Sequence, residues 1–400
     1  MNKKILTIMG TFRTGSTFLT KALSAHTNVT VVSDPCFYFF KAFRNEIFLN
    51  EHVNNFCVNS PISDNFFSPY LQINDIIKSG DFNIPIKHVK LEKILSNIQH
   101  LANNNAPKIS QYVCEISVEN YKDLFIELLE ACRKAYGDSD TTLIGFKDTF
   151  VEQFIAPMAN TFPGTKCIYL IRDPRAILAS QNAYFKKKAT ARGRYPLLYV
   201  VRHWRKSIAY ALENIKQGNN IFLVKYEDLT SAPEVVFQKI CNYLNIAYDS
   251  KILDSSKYKD GNGKTWTQNS AYSTSTKINT KSHEKWKEVL STEEIQLVEE
   301  LCSPEMEYLG YKRTTNENPT TLINSAYRDD PTEIDSWLLE FIDEYSLENI
   351  HELNKEITRY FFIHHETNNT PINDLMAQKI FIYKDLLKDL PLLKNSLNSF

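Results

Sequence analysis

The 400-residue chain has no uninterrupted apolar stretch near the ~20 residues that a membrane-crossing helix requires. Its opening, "MNKKILTIMG", is basic at the start, but the apolar run that follows is too short for a secretory signal core. The seven cysteines are odd in number and include no CxxC pair or metal-ligand spacing, which argues against a disulfide scaffold and a zinc site. Reduced, mostly buried thiols are expected instead. A net charge of −1 gives no pull toward nucleic acid or an anionic membrane. Internal repeats and low-complexity tracts are also missing. These absences predict a soluble, cytoplasmic protein without integral membrane association and without a nucleic-acid partner. Oligomeric state is not readable.

What is present is an ordinary globular composition, 43% hydrophobic and 23% charged. The charge is unevenly placed. From Thr314 to Phe400 there are 15 acidic and 7 basic residues, a net of −8, which leaves +7 on residues 1–313. A basic body suits an anionic ligand, and the acidic tail is expected to form a separate unit behind the polar linker "TTNENPTT".

Four short runs read as strands: "KILTIM", "TLIGF" ending at Phe146, "CIYLI" ending at Ile171 and "IFLVKY" ending at Tyr226. They are apolar on both parities, the pattern of strands covered on both faces of a parallel sheet. Helical stripes lie between them, Trp204-Ile208-Ala211-Leu212-Ile215 and Phe237-Ile240-Cys241-Leu244. "SAPE" at Ser231 and "STEE" at Ser291 predict capping boxes, and Gly310 lies just past the apolar series that Ser291 opens. The alternation predicts an α/β fold, a doubly wound parallel sheet of phosphate-loop type flanked by helices, with a helical C-terminal extension carrying a stripe over Ile334–Ile342. The expected division is a domain over 1–313 and an extension over 314–400. Residues 36–115, rich in Phe, Tyr and Asn, interrupt the alternation as an insertion. Its rings ("FYFFKAFRNEIF", "DNFFSPY") serve either core packing or an acceptor pocket.

The first strand runs into "GTFRTGST", in which Gly10 and Gly15 bracket four residues before a helix that starts near Ser16. A strand–loop–helix of this spacing aims backbone N–H groups and the positive helix end at one point, a ready phosphate site. The lysine that nucleotide-hydrolysing enzymes place before the Ser/Thr is missing, because Ser16 stands there. The cation inside the loop is Arg13. A phosphosulfate suits such a loop: its sulfonyl group carries one negative charge rather than two, so it needs fewer cations and no metal.

"GTFRTGST" resembles the 5′-phosphosulfate loop of sulfotransferases that use 3′-phosphoadenosine 5′-phosphosulfate (PAPS), and "CIYLIRDPRAILAS" resembles their 3′-phosphate strand–turn–helix. Arg172 leaves a strand end there and Ser180 follows eight residues on, so the two can grip one phosphate. "VKYEDL" resembles the strand end whose tyrosine, here Tyr226, lies by the adenine. "WTQNSAY…KSHEKW" with "MEYLGY" resembles the closing segment, with Ser270 and Lys285 at phosphate-reaching positions. The resemblance covers about residues 5–313. It implies PAPS as co-substrate, no metal, and a small-molecule, carbohydrate or peptide acceptor. Arg13, Thr14, Gly15, Ser16, Thr17, Arg172, Ser180, Tyr226, Ser270 and Lys285 would hold the cofactor.

Within the family, the closest local resemblance is to the protein-tyrosine and carbohydrate-type sulfotransferases, and "ALSAHTNVTVVSDP" most resembles the former. The former place a glutamate base 21 residues past the loop arginine, a position held here by the shorter Asp34. "GFKDTF" resembles their lysine-bearing strand end and puts Lys147 at the sulfonyl group. Tyr184 stands where those enzymes have a second 3′-phosphate arginine, with Lys186, Lys187 or Lys188 as substitutes nearby. His88 in "PIKHVK" is the rival base and Glu115 a third candidate. Arg175 either serves the site or pairs with the charges of its own "RDPR". "NGKTW" at 262–266 is read as a flexible flap, either a plain polar loop or a cover for the adenosine bisphosphate. Two other function classes stand beside this reading, a phosphate-loop kinase and a binding protein that holds PAPS without chemistry.

Overall fold

The computed structural model describes residues 4–53, 58–59, 62, 73–187, 197–267, 283–315, 355–356, 358–360, 362–363, 380–383 and 385–398. Five strands form one parallel sheet: β1 (Lys4–Met9), β2 (Val29–Ser33), β3 (Leu143–Lys147), β4 (Lys166–Ile171) and β5 (Ile221–Lys225). Their order is β2-β3-β1-β4-β5. β1 registers Ile8 against Lys147 on one side and Met9 against Tyr169 on the other.

The apolar-on-both-parities pattern has its expected consequence. In β1, Ile5 and Met9 join one core while Leu6 and Ile8 join the other. In β4, Cys167, Tyr169 and Ile171 face the first core, and Ile168 and Leu170 the second. The second, smaller core is closed by α1 (Ser16–Leu23) and α11 (Pro233–Leu244), whose Phe237, Ile240, Cys241 and Leu244 are all buried. The larger core holds α2 (Phe37–Asn50), α3 (Ile73–Lys78), α4 (Leu91–Asn105), α5 (Ser110–Val113), α6 (Tyr121–Tyr136), α7 (Ile155–Thr161), α8 (Pro174–Lys187) and α9 (Leu197–Lys216). The chain leaves β1 toward β2, then crosses back over β1 from β3 to β4. The crevice outside the strand C-termini at this reversal is where open α/β sheets bind ligands.

Several details differ from the sequence-based expectation. β2 was not foreseen as a strand, and it forms the sheet edge beside β3. Tyr226 opens α10 (Tyr226–Ser231) instead of ending β5. The Ser231/Glu234 box does not form, because α10 runs through Ser231 and Ala232 becomes the cap of α11 with Pro233 at its start. Ser291 and Glu294 do form their box at the head of α13 (Thr292–Leu301), following α12 (Trp286–Val289). α13 stops at Leu301, and one turn of α14 (Glu305–Tyr308) precedes Gly310.

The first stretch of aromatic insertion is core. Phe39, Phe40 and Phe43 of α2 are fully buried, with ring centroids 4.9 Å apart for Phe40–Phe154 and 4.5 Å for Phe43–Phe82. "DNFFSPY" and the Ile334–Ile342 stripe lie outside the described residues. The described part of the acidic tail packs into the body: Tyr360, Ile380, Phe381, Leu386, Leu390 and Leu393 belong to the larger core. Its charges enter as well. Glu356 pairs with Arg202 and Arg205 of α9, and Arg359 with Glu305, every one of these side chains buried. Glu356 thus sets a tail acid against the body's positive surplus, while the Arg359–Glu305 pair runs in the opposite sense. Such pairs fix an arrangement more than they add net stability.

Candidate active site

The loop after β1 has a backbone that its sequence makes possible. Gly10 has φ 133°, and a Cβ there would stand 2.4 Å from the Leu170 carbonyl oxygen. Gly15 has φ 92°, and a Cβ there would enter the Tyr226 ring at 2.4 Å. Only glycine permits both approaches. Arg13 takes the left-handed conformation between them, with φ 62°. The Thr14 hydroxyl donates to the Thr11 carbonyl at 2.8 Å, closing the turn. Phe12 is held between Phe150 and His203, each 5.9 Å away, with Tyr199 at 6.2 Å. The loop is therefore pinned from both ends. Ser16, buried, and Thr17, half-buried, begin α1, whose first turn has no side-chain cap. Its leading N–H groups are left for an anion.

The two phosphate motifs, 159 residues apart, meet at this loop: Arg172 Nη1 donates to the Arg13 carbonyl at 2.8 Å. Arg13 Nε donates to Ser180 Oγ on α8 at 3.0 Å. The Arg172 guanidinium lies 4.2 Å from the Tyr226 ring centroid, and that of Arg13 lies 5.4 Å from Tyr184. Tyr184, expected to stand in place of a second 3′-phosphate arginine, instead lies against the loop arginine. The side chains at 186–188 lie outside the described residues. Trp204 Nε1 donates to the Arg172 carbonyl at 2.9 Å and fixes the strand end. Arg172 Nε is buried with no hydrogen-bond partner, a donor a phosphate oxygen would satisfy.

Across the sheet, Lys147 ends β3 and Asp34 follows β2. Lys147 Nζ lies 3.0 and 3.3 Å from the two Asp34 carboxylate oxygens. The Asp34 N–H donates to the Lys147 carbonyl at 2.6 Å, and Asp34 is left-handed with φ 56°. A second carboxylate, Asp148, sits directly behind. Its Oδ2 accepts the Cys36 N–H at 3.0 Å, so it meets the head of α2 from just past the end of β3. Burial pushes its carboxyl well above the usual range; Asp34 raises it further, while the Cys36 and Phe37 N–H groups and Lys147 pull the other way.

The other candidates are placed elsewhere. His88 Nδ1 is 2.9 Å from Glu46, whose buried carboxylate also accepts the N–H groups of Lys87, His88 and Val89. Glu115 is exposed beyond α5. Among the described residues neither is hydrogen-bonded or ion-paired to Arg13, Asp34 or Lys147. Lys285 is half-buried at the start of α12, and Ser270 lies outside the described residues. Arg175 is structural. It forks onto Asp173 at 2.6–3.2 Å, pairs with Glu299, donates to the Lys312 carbonyl and lies 4.0 Å over Trp286. Residues 261–266 form a tight turn in which the Asp260 carboxylate accepts the N–H groups of Asn262 and Lys264, each at 2.9 Å. Among the described residues no group of three or more His, Cys, Asp or Glu is arranged to hold a metal. No helix there is long and apolar enough to cross a membrane.

Sequence reasoning missed Asp148 and Glu227. Glu227 accepts the Asp173 N–H at 3.1 Å and the Tyr311 hydroxyl at 3.0 Å, bracing the turn after β4. A carboxylate directly after the strand-end lysine was a signal for Asp148. Glu227 had none, since its partners are remote in sequence.

Residues 6–250 match the family model described as "Sulfotransferase family". The chain is 28% identical over 189 residues to carbohydrate sulfotransferase 3 of Tetronarce californica, a match covering 44% of this chain and 42% of that protein. It spans well under half the length of this curated relative. Among solved structures, the sulfotransferase domain of the Synechococcus PCC 7002 olefin synthase is 17% identical with a TM-score of 0.43, covering 74% of this chain and 93% of that one. The sulfotransferase domain from the curacin biosynthetic pathway is 17% identical with a TM-score of 0.44, covering 78% and 99%.

Proposed function

Because the chain belongs to the sulfotransferase family, we propose that it transfers the sulfonyl group of PAPS to a hydroxyl or amine of an acceptor by in-line displacement. A carbohydrate hydroxyl is the acceptor class to test first, since the matched relative is a carbohydrate sulfotransferase. PAPS is a substrate here. It supplies the sulfonyl group and leaves as adenosine 3′,5′-bisphosphate.

The observation that carries this reading is the meeting of the two distant phosphate motifs, with Arg13 touching Ser180 and Arg172 touching the Arg13 carbonyl. The loop N–H groups with Thr14, Gly15, Ser16 and Thr17 would hold the 5′-phosphate. Arg172 and Ser180 would select the 3′-phosphate, with Tyr226, Ser270 and Lys285 toward the nucleotide. Arg13 and Lys147 would stabilise charge on the leaving and equatorial oxygens, each worth roughly 3 kcal/mol in the transition state. Asp34 would take the acceptor proton. Its 3.0 Å contact with Lys147 keeps the base beside the cation that would face the transferring sulfonyl group. The test is incubation with PAPS labelled in the sulfonyl group and a panel of sugar, phenol and amine acceptors. Label should move to an acceptor. A protein that neither moves label nor binds adenosine 3′,5′-bisphosphate by calorimetry would overturn the reading.

A further inference from the structure

Beside the site, along the open edge of β2, lies a cavity of about 270 Å³, near the lower end of small-ligand sites. Its wall reaches Ser33, the residue before Asp34, and includes Lys21, Lys108, Lys257 and Lys259 against one carboxylate, Asp260. Among the described residues none of these lysines is ion-paired. Asp260 already spends an oxygen on the Asn262 and Lys264 N–H groups. Lys21 lies one turn beyond Thr17 on α1, so the same helix face runs from the phosphate loop into the cavity. Lys21 is partly buried, and burial holds its ammonium below the ordinary value. Lys147 acts in the same sense, while Asp260 and Asp34 oppose both. The Tyr136 hydroxyl donates to the Gly261 carbonyl at 2.8 Å and fixes the far wall.

Resting on the function proposed above, we propose that this cavity is the anionic subsite of the acceptor. It receives a carboxylate or sulfate ester on a sugar-sized group while the neighbouring hydroxyl or amine faces Asp34 and Lys147. The physical reason is charge. Four lysines against one aspartate leave three net positive charges in one small polar space. An anion relieves their mutual repulsion and gives Lys21 a partner. A neutral sugar offers neither effect. A cluster of solvated surface lysines would instead show no difference between charged and neutral ligands of equal size beyond long-range attraction, which salt removes.

The full chain, loaded with adenosine 3′,5′-bisphosphate, is titrated in calorimetry at about 0.15 M salt with p-nitrophenyl glucoside, its 6-sulfate, and p-nitrophenyl glucuronide. Binding of one or both charged glycosides on the order of tenfold tighter than the neutral one is expected. The 6-sulfate and the glucuronide separate sulfate-ester from carboxylate recognition. Lys21→Met with Lys259→Met should erase the preference while bisphosphate affinity stays within about twofold. Lys257→Gln with Lys259→Gln, both exposed, gives a second variant and should lower the preference in the same direction. Equal binding of all three glycosides, no measurable binding of any, or a preference that survives both variants overturns the subsite. Failure to bind the bisphosphate would instead sink the function proposed for the chain.

Discussion

Around Arg13 and Arg172, on the β1–β4 side of the sheet, the contacts described above are with a hydroxyl, a carbonyl oxygen and tyrosine faces. Around Lys147, on the β2–β3 side, two carboxylates crowd one cation, and one of them is pushed toward its neutral form by burial. Both sides sit at strand C-termini of the same sheet, so their difference is one of side-chain chemistry. Arg13 and Arg172 hold donors against hydroxyl, carbonyl and ring partners that an anion can replace, with the Glu227 carboxylate acting on Arg172 electrostatically. A lysine–carboxylate pair is already near neutrality and gains little from an anion, but it can exchange a proton with a neighbour. The first side is suited to hold a ligand and the second to act on one.

The largest effect should come from Asp34→Asn, which keeps the shape and removes the basic oxygen. Turnover should fall by a factor of roughly 10² to 10⁴ while adenosine 3′,5′-bisphosphate binding stays close to wild type. Activity that survives would move the base to another residue, and His88→Ala would be measured next. Weakened bisphosphate binding would break the division between the two sides.

Next in size is a stability effect that separates two arginines three residues apart. Arg175→Met strands the buried Asp173 and Glu299, and losing one partner of a buried pair costs about 3–5 kcal/mol. Its melting temperature should drop well below that of Arg172→Ala, as read by thermal denaturation. Arg172→Ala should act on binding instead. Adenosine 3′,5′-bisphosphate affinity should fall on the order of a hundredfold, and AMP affinity only a few-fold, because AMP has no 3′-phosphate to lose. Equal losses for both nucleotides would remove the selector role from Arg172.

These arginines also show where the sequence could be read and where it could not. The loop after β1 was legible because its glycines are demanded by local geometry, a left-handed turn and a ring at contact distance. The place of Lys147 at a strand end followed from an apolar run that stops there. Arg175 was ambiguous because its deciding partner, Glu299, lies 124 residues away, and nothing local announces such a pair. The same holds for Arg202 and Glu356, 154 residues apart: nothing local in the sequence announces that this one acid of the tail is buried against α9. α2 escaped periodicity because it is buried almost all round, from Phe39 through Phe48, which leaves no polar face to mark the turns. β2 is as long as β3 and β5, but Thr30 and Ser33 break up its apolar run, which is why it did not stand out as a strand.

The smallest and sharpest test concerns Asp148, the buried member of the carboxylate side. An unfolded chain releases this proton near the ordinary aspartate value of about 4, whereas burial makes the folded chain keep it to higher pH. The folded state therefore binds more protons across that window. The Asp148 contribution to stability thus falls as pH rises from about 4 through the folded value and levels off above it. In an Asp148→Asn variant the side chain does not titrate, yet its amide oxygen can still accept the Cys36 N–H at the head of α2. The difference in melting temperature between this variant and wild type should accordingly start near zero at the acid end and grow to a few degrees in the variant's favour. Asp34 is the second cause of the shift, so Asp34→Asn should narrow the window over which that difference develops. A difference that stays flat with pH would mean that Asp148 is charged in the folded protein, and the carboxylate side would then carry two negative charges on one lysine.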